Sequence, residues 1–336
     1  MKRSRFNLFI LLIVTVFVSC NKNGHNEYLI TQPSRDKIEY VDPENISLWT
    51  PDSTILSELI HLIPSDSLLL IRDSYSYDDL VAVYTLKDYK YIGAFGQIGQ
   101  GPYEVTRPGP IARGLTHGKL YVNDYGKLQT YRYDIDSALT DKEYVPEVWK
   151  KYSNKNLISR EYFINDTSAI VRKFSAKSDN FGVYVMGRYN PETESFTQYS
   201  PQDRVGQYLY DVSIDDNLIV EAGGRRDVIY IYDLDGNPLH EIHGPMYEEE
   251  KSTGLLAFTQ PLIVNDRFYI PWVGKDTREG GDLYPTDVLV FSLDGTYLKT
   301  LRFPYHISEM SFNPVRNTLL IHSRDFDEIA EIKIPK

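Results

Sequence analysis

The sequence predicts an all-β, six-bladed β-propeller, closed by pairing of N- and C-terminal strands. Three observations carry that expectation. A short apolar run recurs six times, as Leu68–Ile71, Leu120–Val122, Ala169–Val171, Leu218–Val220, Phe268–Ile270 and Leu319–Ile321, and the steps between run ends are 51, 49, 49, 50 and 51 residues. Such a period, with strand and turn signals but no helical one, is that of a blade of about four strands. Polar breaks and tight turns follow each run, so a unit reads as a β-meander. The sixth copy stops one strand short, which leaves a place for a strand from the other end of the chain.

Taken in order, residues 1–19 read as a leader: Lys2, Arg3 and Arg5 precede an apolar stretch from Phe6 to Phe17. That stretch is shorter than the roughly 20 residues of a membrane-spanning helix. Phe17-Val18-Ser19-Cys20 resembles a bacterial lipobox, which implies that Cys20 becomes a lipid-bearing N-terminus carrying palmitate. Cys20 is the sole cysteine, so no intrachain disulfide is available and the core alone must hold the fold. Residues 20–34 read as the lipidated Cys and a flexible polar tether, with Asn21 pointing to the outer membrane, and residues 35–336 as the propeller.

In the first blade the strands are expected at Ile55–Ile63, Ser67–Ile71, Leu80–Leu86 and Tyr89–Phe95. Later units repeat the scheme, with Val228–Tyr232 turning into Pro238–His243, and Val288–Phe291 turning through Asp294-Gly295 into Tyr297–Arg302. Asp and Gly tolerate the backbone that tight hairpin turns need. In blades two and three, Asp134–Lys142 and Asn190–Glu194 take the equivalent turns. The last copy offers Ile307–Phe312, Thr318–Ser323 and Ile329–Ile334, and either Lys37–Val41 or Ile46–Trp49 supplies its fourth strand. An open ring would leave an unpaired edge.

Between the first two units lies Gly93-Ala94-Phe95-Gly96-Gln97-Ile98-Gly99-Gln100-Gly101-Pro102-Tyr103-Glu104, followed by Arg107-Pro108-Gly109-Pro110. This stretch resembles the Gly-rich blade junction of TolB-like and NHL-like six-bladed propeller lipoproteins of bacteria. The resemblance implies a fold rather than an activity, since such propellers host binding modules, scaffolds and some enzymes.

Charge narrows the partners. Without Lys2, Arg3 and Arg5 the chain has 33 basic and 47 acidic residues, a net charge of −14, so no nucleic-acid partner is expected. Chemistry is sparse. The glycines match no phosphate-binding fingerprint, Asp233-Leu234-Asp235-Gly236-Asn237 lacks the pattern of a calcium loop, and His240 and His243 fall on opposite faces of a strand. No cofactor, metal or catalytic residue is assigned. One constellation stands out: the position after each apolar run reads Arg72, Asn123, Arg172, Glu221, Pro271 and His322. If the runs are second strands, these side chains are expected to converge on one face near the central channel as a ligand-binding ring, rimmed by Tyr103 and Arg107, with Trp272 as a stacking surface. The bland alternative is that they are strand ends paired with neighbouring blades. The function expected is a monomeric, non-catalytic binding or scaffolding module for an envelope glycan, peptide or partner protein, held at the membrane through its lipid only. The alternative is a metal-dependent lyase or hydrolase using the channel.

Overall fold

The computed structural model describes residues 28–51, 57, 60–73, 75, 79–114, 118–152, 158–176, 182–199, 208–247, 254–325 and 328–334. The expected leader, Cys20 and the tether up to residue 27 lie outside the described residues. Six small sheets form a six-bladed β-propeller. From the centre outward, blade one comprises Ile60–Ser65, Leu68–Asp73, Asp79–Thr85 and Tyr91–Gln97, each antiparallel to the next. The remaining blades follow the same meander, and the expected apolar runs are the second strands. In blade two the turn between the third strand and the outer strand, Glu147–Lys151, contains a short helix, Ile135–Thr140, which Asp134 caps by accepting the Ser137 amide at 2.9 Å. Among the described residues no helix is long and apolar enough to cross a membrane.

The runs are continuously apolar because both faces of a second strand are buried. Successive side chains point to opposite faces, and each face meets a different neighbour. Ala169 and Val171 pack toward blade two and Ile170 toward blade four. Likewise Leu319 and Ile321 pack toward blade five and Leu320 toward blade one. The buried apolar residues accordingly divide into six clusters, one at each joint of the ring. The hairpins from first to second strand are as regular. Asp66, Gly118, Asn217, Asn265 and Asn317 occupy equivalent turn positions with φ between 52° and 69°, and Asp, Asn and Gly are the residues that enter this left-handed region at least cost.

Closure differs from the expectation in one respect. The fourth strand of blade six is β3, Ile46–Trp49, antiparallel to Ile329–Lys333. The segment before it also pairs: β1, Leu29–Thr31, lies parallel to Pro238–His243 on the outside of blade four, and β2, Ile38–Tyr40, lies parallel to Tyr297–Arg302 on blade five. Residues 28–34, read from the sequence as the end of a free tether, therefore belong to the ring. The physical reason is edge pairing, because outer strands carry unpaired N–H and C=O groups that a passing extended segment can satisfy. The Gln32 amide donates to His243 O at 2.8 Å and the Val41 amide to Arg302 O at 2.9 Å.

Between β1 and β2 the Arg35 side chain turns inward. Its guanidinium pairs with Asp227, whose side chain is fully buried, and lies 4.1 Å from the centroid of the Trp272 ring. Asp227 also accepts the Met246 amide at 2.9 Å. Burial lowers the Arg35 pKa, while the Asp227 carboxylate opposes that shift. Removing one partner of such a buried pair typically costs about 3–5 kcal/mol. Arg35→Ala is accordingly expected to lower the urea midpoint of the domain by a loss of that size, and Arg35→Ala with Asp227→Ala to recover part of it. An unchanged midpoint in the single variant would show that the strap is not pinned there.

Candidate functional site

The inner strands converge on a channel to which every blade contributes, through His61, Pro110, Arg160, Tyr210, Gln260 and Glu309. A bulge in blade three builds its centre. Pairing slips between Ser159 and Glu161, and Arg160 takes a left-handed backbone with φ 54°. Its guanidinium reaches across to the side-chain oxygen of Gln260, the Gln260 amide nitrogen donates to Tyr210 O, and the Tyr210 hydroxyl donates to Arg160 O and, at 3.0 Å, to Ile170 O. Three blades are thereby tied across the axis. The space left is about 40 Å³, room for a few waters at about 10–15 Å³ each. Beyond it, toward the first-to-second-strand hairpins, the channel widens to about 280 Å³ between Ala112, Val212, Ile263 and Phe312.

Beside this plug His61 and Glu309 approach to 3.5 Å. Burial pushes the His61 pKa down, Glu309 opposes this, and Arg72 and Arg160 push it further down. Glu161, on the blade-three side, accepts from Asn123 Nδ2 and from the Tyr152 hydroxyl, both at 2.8 Å. Burial raises its pKa despite these bonds.

The ring expected from the sequence sits one strand farther out than the channel. Arg72, Asn123, Glu221 and His322 are buried, and Arg172 is partly so. They stand beside the channel-lining positions in cross-strand register: Arg72 opposite His61, Glu221 opposite Tyr210, His322 opposite Glu309. Two reach sideways into a joint. Asn123 holds Glu161 of blade three, and Arg172 donates to Tyr208 O of blade four at 3.1 Å while covering the Tyr184 ring. His322 stays within its own blade, bonded to the Ser308 hydroxyl. Arg72 lies in the field of Glu309 and Asp73, and burial brings its pKa down to about 10.

Among the other candidates, Tyr103 stands half-exposed at the tip of the Gly-rich loop and Arg107 is exposed. Trp272 carries Arg35 on its face and packs on Phe258. The turn at Asp233 closes on itself, with Asp233 accepting the Asn237 amide at 2.8 Å and the Asn237 side chain at 2.7 Å. Among the described residues no three His, Cys, Asp or Glu side chains form a group that could hold a metal ion. Sequence reasoning missed His61, Arg160, Tyr210, Gln260 and Glu309; for His61, Tyr210 and Glu309 the available signal was the cross-strand partner of a ring position, whereas Arg160 sits in a bulge and Gln260 outside any strand.

Comparison with protein-family models gives no match, and comparison with curated protein sequences gives none either. Solved structures share the fold. A putative exported protein from Bacteroides fragilis superposes with TM-score 0.58 at 12% identity, over 92% of this chain and 100% of its own. A DUF4221 family member from Bacteroides vulgatus gives 0.54 at 10% identity, over 87% and 98%. A calcium-binding protein, regucalcin, from Agrobacterium tumefaciens gives 0.55 at 11%, over 89% and 95%. These likenesses establish the propeller.

Two outcomes follow from this geometry. Arg72→Ala removes a buried cation facing Glu309 and is expected to destabilise the fold by about 3 kcal/mol, read by urea unfolding; a melting temperature within a degree of the parent would contradict its burial. His61 is held below its unfolded value of about 6.5, so the unfolded chain takes up the proton first and stability falls as pH drops below about 6.5. His61→Gln is expected to flatten that part of the melting-temperature profile, and a parallel profile would contradict the assignment.

Proposed function

We propose that this chain is a lipoprotein of the bacterial envelope, anchored through Cys20 and of the TolB-like or NHL-like class, whose propeller acts as a non-catalytic binding or scaffolding module for a glycan, peptide or partner protein. The observation that carries the reading is the plug. Arg160, Gln260 and Tyr210 fill the axis where a propeller enzyme would admit its substrate. The carboxylates near the axis are already engaged: Glu161 by Asn123 and Tyr152, Asp211 by the Ile263 amide at 2.8 Å, and Glu309 by His61. A lyase or hydrolase would have to break these contacts before a metal or a substrate could enter. The surfaces left for recognition are the rim and the flank of the ring.

Thermal-shift titration of residues 28–336 separates the readings. A partner at about 100 times its Kd stabilises the fold by roughly 2.7 kcal/mol. Stabilisation by envelope glycans or peptidoglycan fragments, with no response to divalent metals, is the expected result. A metal-dependent shift reversed by chelator would overturn the non-catalytic reading. Incorporation of an alkyne-palmitate label that persists in Cys20→Ala would overturn the anchor.

A further inference from the structure

A second concavity, of about 510 Å³, opens on the flank of the ring where blades one and two meet. The Gly-rich loop, with Pro102 and Tyr103, forms one wall. The helix Ile135–Thr140 and the turn that carries Asp141 and Tyr144 form the other. Phe95, Gly96 and Tyr133 make the floor. The volume is within the ordinary range of small-ligand sites, about 300–1,000 Å³.

Both walls are fixed before any ligand arrives. In the loop, the Glu104 carboxylate accepts the Gly101 amide at 2.6 Å, the Tyr131 hydroxyl donates to Pro102 O at 2.9 Å, and the Lys127 ammonium donates to Glu104 O at 2.6 Å. Opposite, the Tyr144 hydroxyl accepts the Asp134 amide at 2.7 Å. Leu139 packs so closely on Gly93 that a Cβ there would lie 3.0 Å from Leu139 Cδ2.

The floor holds the decisive feature. Tyr133 is 2% exposed, and its hydroxyl has no hydrogen-bond partner within the protein. It sits against Gly96, where an added Cβ would come within 3.4 Å of the hydroxyl oxygen. Buried hydroxyls are almost always satisfied, and burial raises the Tyr133 pKa, so this one stays neutral, able both to donate and to accept. The same pocket is lined by the ring of Tyr103, which is half-exposed, by the carboxylates of Asp79 and Asp141, and by the ammonium of Lys142. Aromatic faces with a polar edge suit a ligand that is apolar on one side and hydroxylated on the other, and two carboxylates against the single ammonium of Lys142 disfavour an anion.

We propose that this flank pocket binds a neutral saccharide, one pyranose ring stacking on Tyr103 and its hydroxyls meeting Tyr133 and the rim carboxylates. The site rests on the reading of the chain as a binding module and gives that module its ligand class. Stacking and hydroxyl recognition are common to neutral pyranoses, so cellobiose serves as the probe and glucuronic acid as its anionic counterpart.

Saturation-transfer NMR on the mature chain, residues 20–336 with Cys20→Ser, tests the site at tens of millimolar sugar. Transfer to cellobiose and little to glucuronic acid is expected. Tyr103→Ala should weaken cellobiose binding at least tenfold, on the order of 1.4 kcal/mol. Tyr133→Phe should weaken it severalfold without lowering the melting temperature, because it removes a hydroxyl that nothing in the fold uses. Absence of transfer to cellobiose, equal transfer to glucuronic acid, or binding indifferent to both substitutions would each overturn the assignment. Loss of melting temperature in Tyr133→Phe would overturn the role given to its hydroxyl. A peptide or glycan that shifts the melting curve equally in parent and Tyr103→Ala would leave the binding module standing and remove only this pocket.

Discussion

A ring of blades is only as stable as its closure, and in this chain closure falls to the strap of residues 28–49. The strap is laid on three consecutive blades, parallel on the outer edges of blades four and five and antiparallel as the last strand of blade six. Only then does the chain enter blade one. An edge strand is a template for unwanted pairing, and the strap covers three such edges while joining the two ends of the molecule. Arg35 gives it a fixed register, since a one-residue slip would draw the guanidinium away from Asp227 and off Trp272.

Buried carboxylates repeat this logic at alternate joints. Glu161 lies between blades two and three, Asp227 between four and five, and Glu331 between six and one. Glu331 accepts from Thr318 and Arg316, both at 2.6 Å, and from the Tyr89 hydroxyl of blade one at 2.8 Å. Burial pushes its pKa up, but the three hydrogen bonds together hold it below the usual value; Glu161, with two neutral donors, is raised. A blade set at the wrong height would strand a charge or an acid in an apolar joint, at a cost of several kcal/mol. Apolar packing supplies the cohesion of the ring and these groups fix its register.

Much of this was legible in the sequence because the blade is a repeated solution to one packing problem. Second strands announce themselves, since a strand buried on both faces cannot alternate, and the turns at Asp66, Asn217 and Asn317 carry residue types suited to left-handed backbone. First strands were harder to read. One of their faces looks into a polar channel, and the bulge that aims Arg160 has no sequence signature beyond a local slip in alternation. Reading the strand end rather than its partner put the candidate ring one strand too far out. The closing strand Ile46–Trp49 was one of the two segments expected to complete the ring, whereas the pairing of Leu29–Thr31 with blade four was read as tether. Leu29 is exposed and β1 offers only Ile30 to the core, so this three-residue strand shows no apolar periodicity and relies largely on main-chain hydrogen bonds, which any extended segment can make.

Native-state hydrogen exchange at the Gln32 and Val41 amides reports most directly on whether the strap is part of the cooperative ring. Both donate to blade carbonyls, of His243 and Arg302. A strap integral to closure opens only when the ring does, so these amides should exchange with the same free energy as core amides of blades four to six. Exchange orders of magnitude faster than the core, with the blades still protected, would mean that the ring closes without residues 28–41, and would contradict closure by the strap.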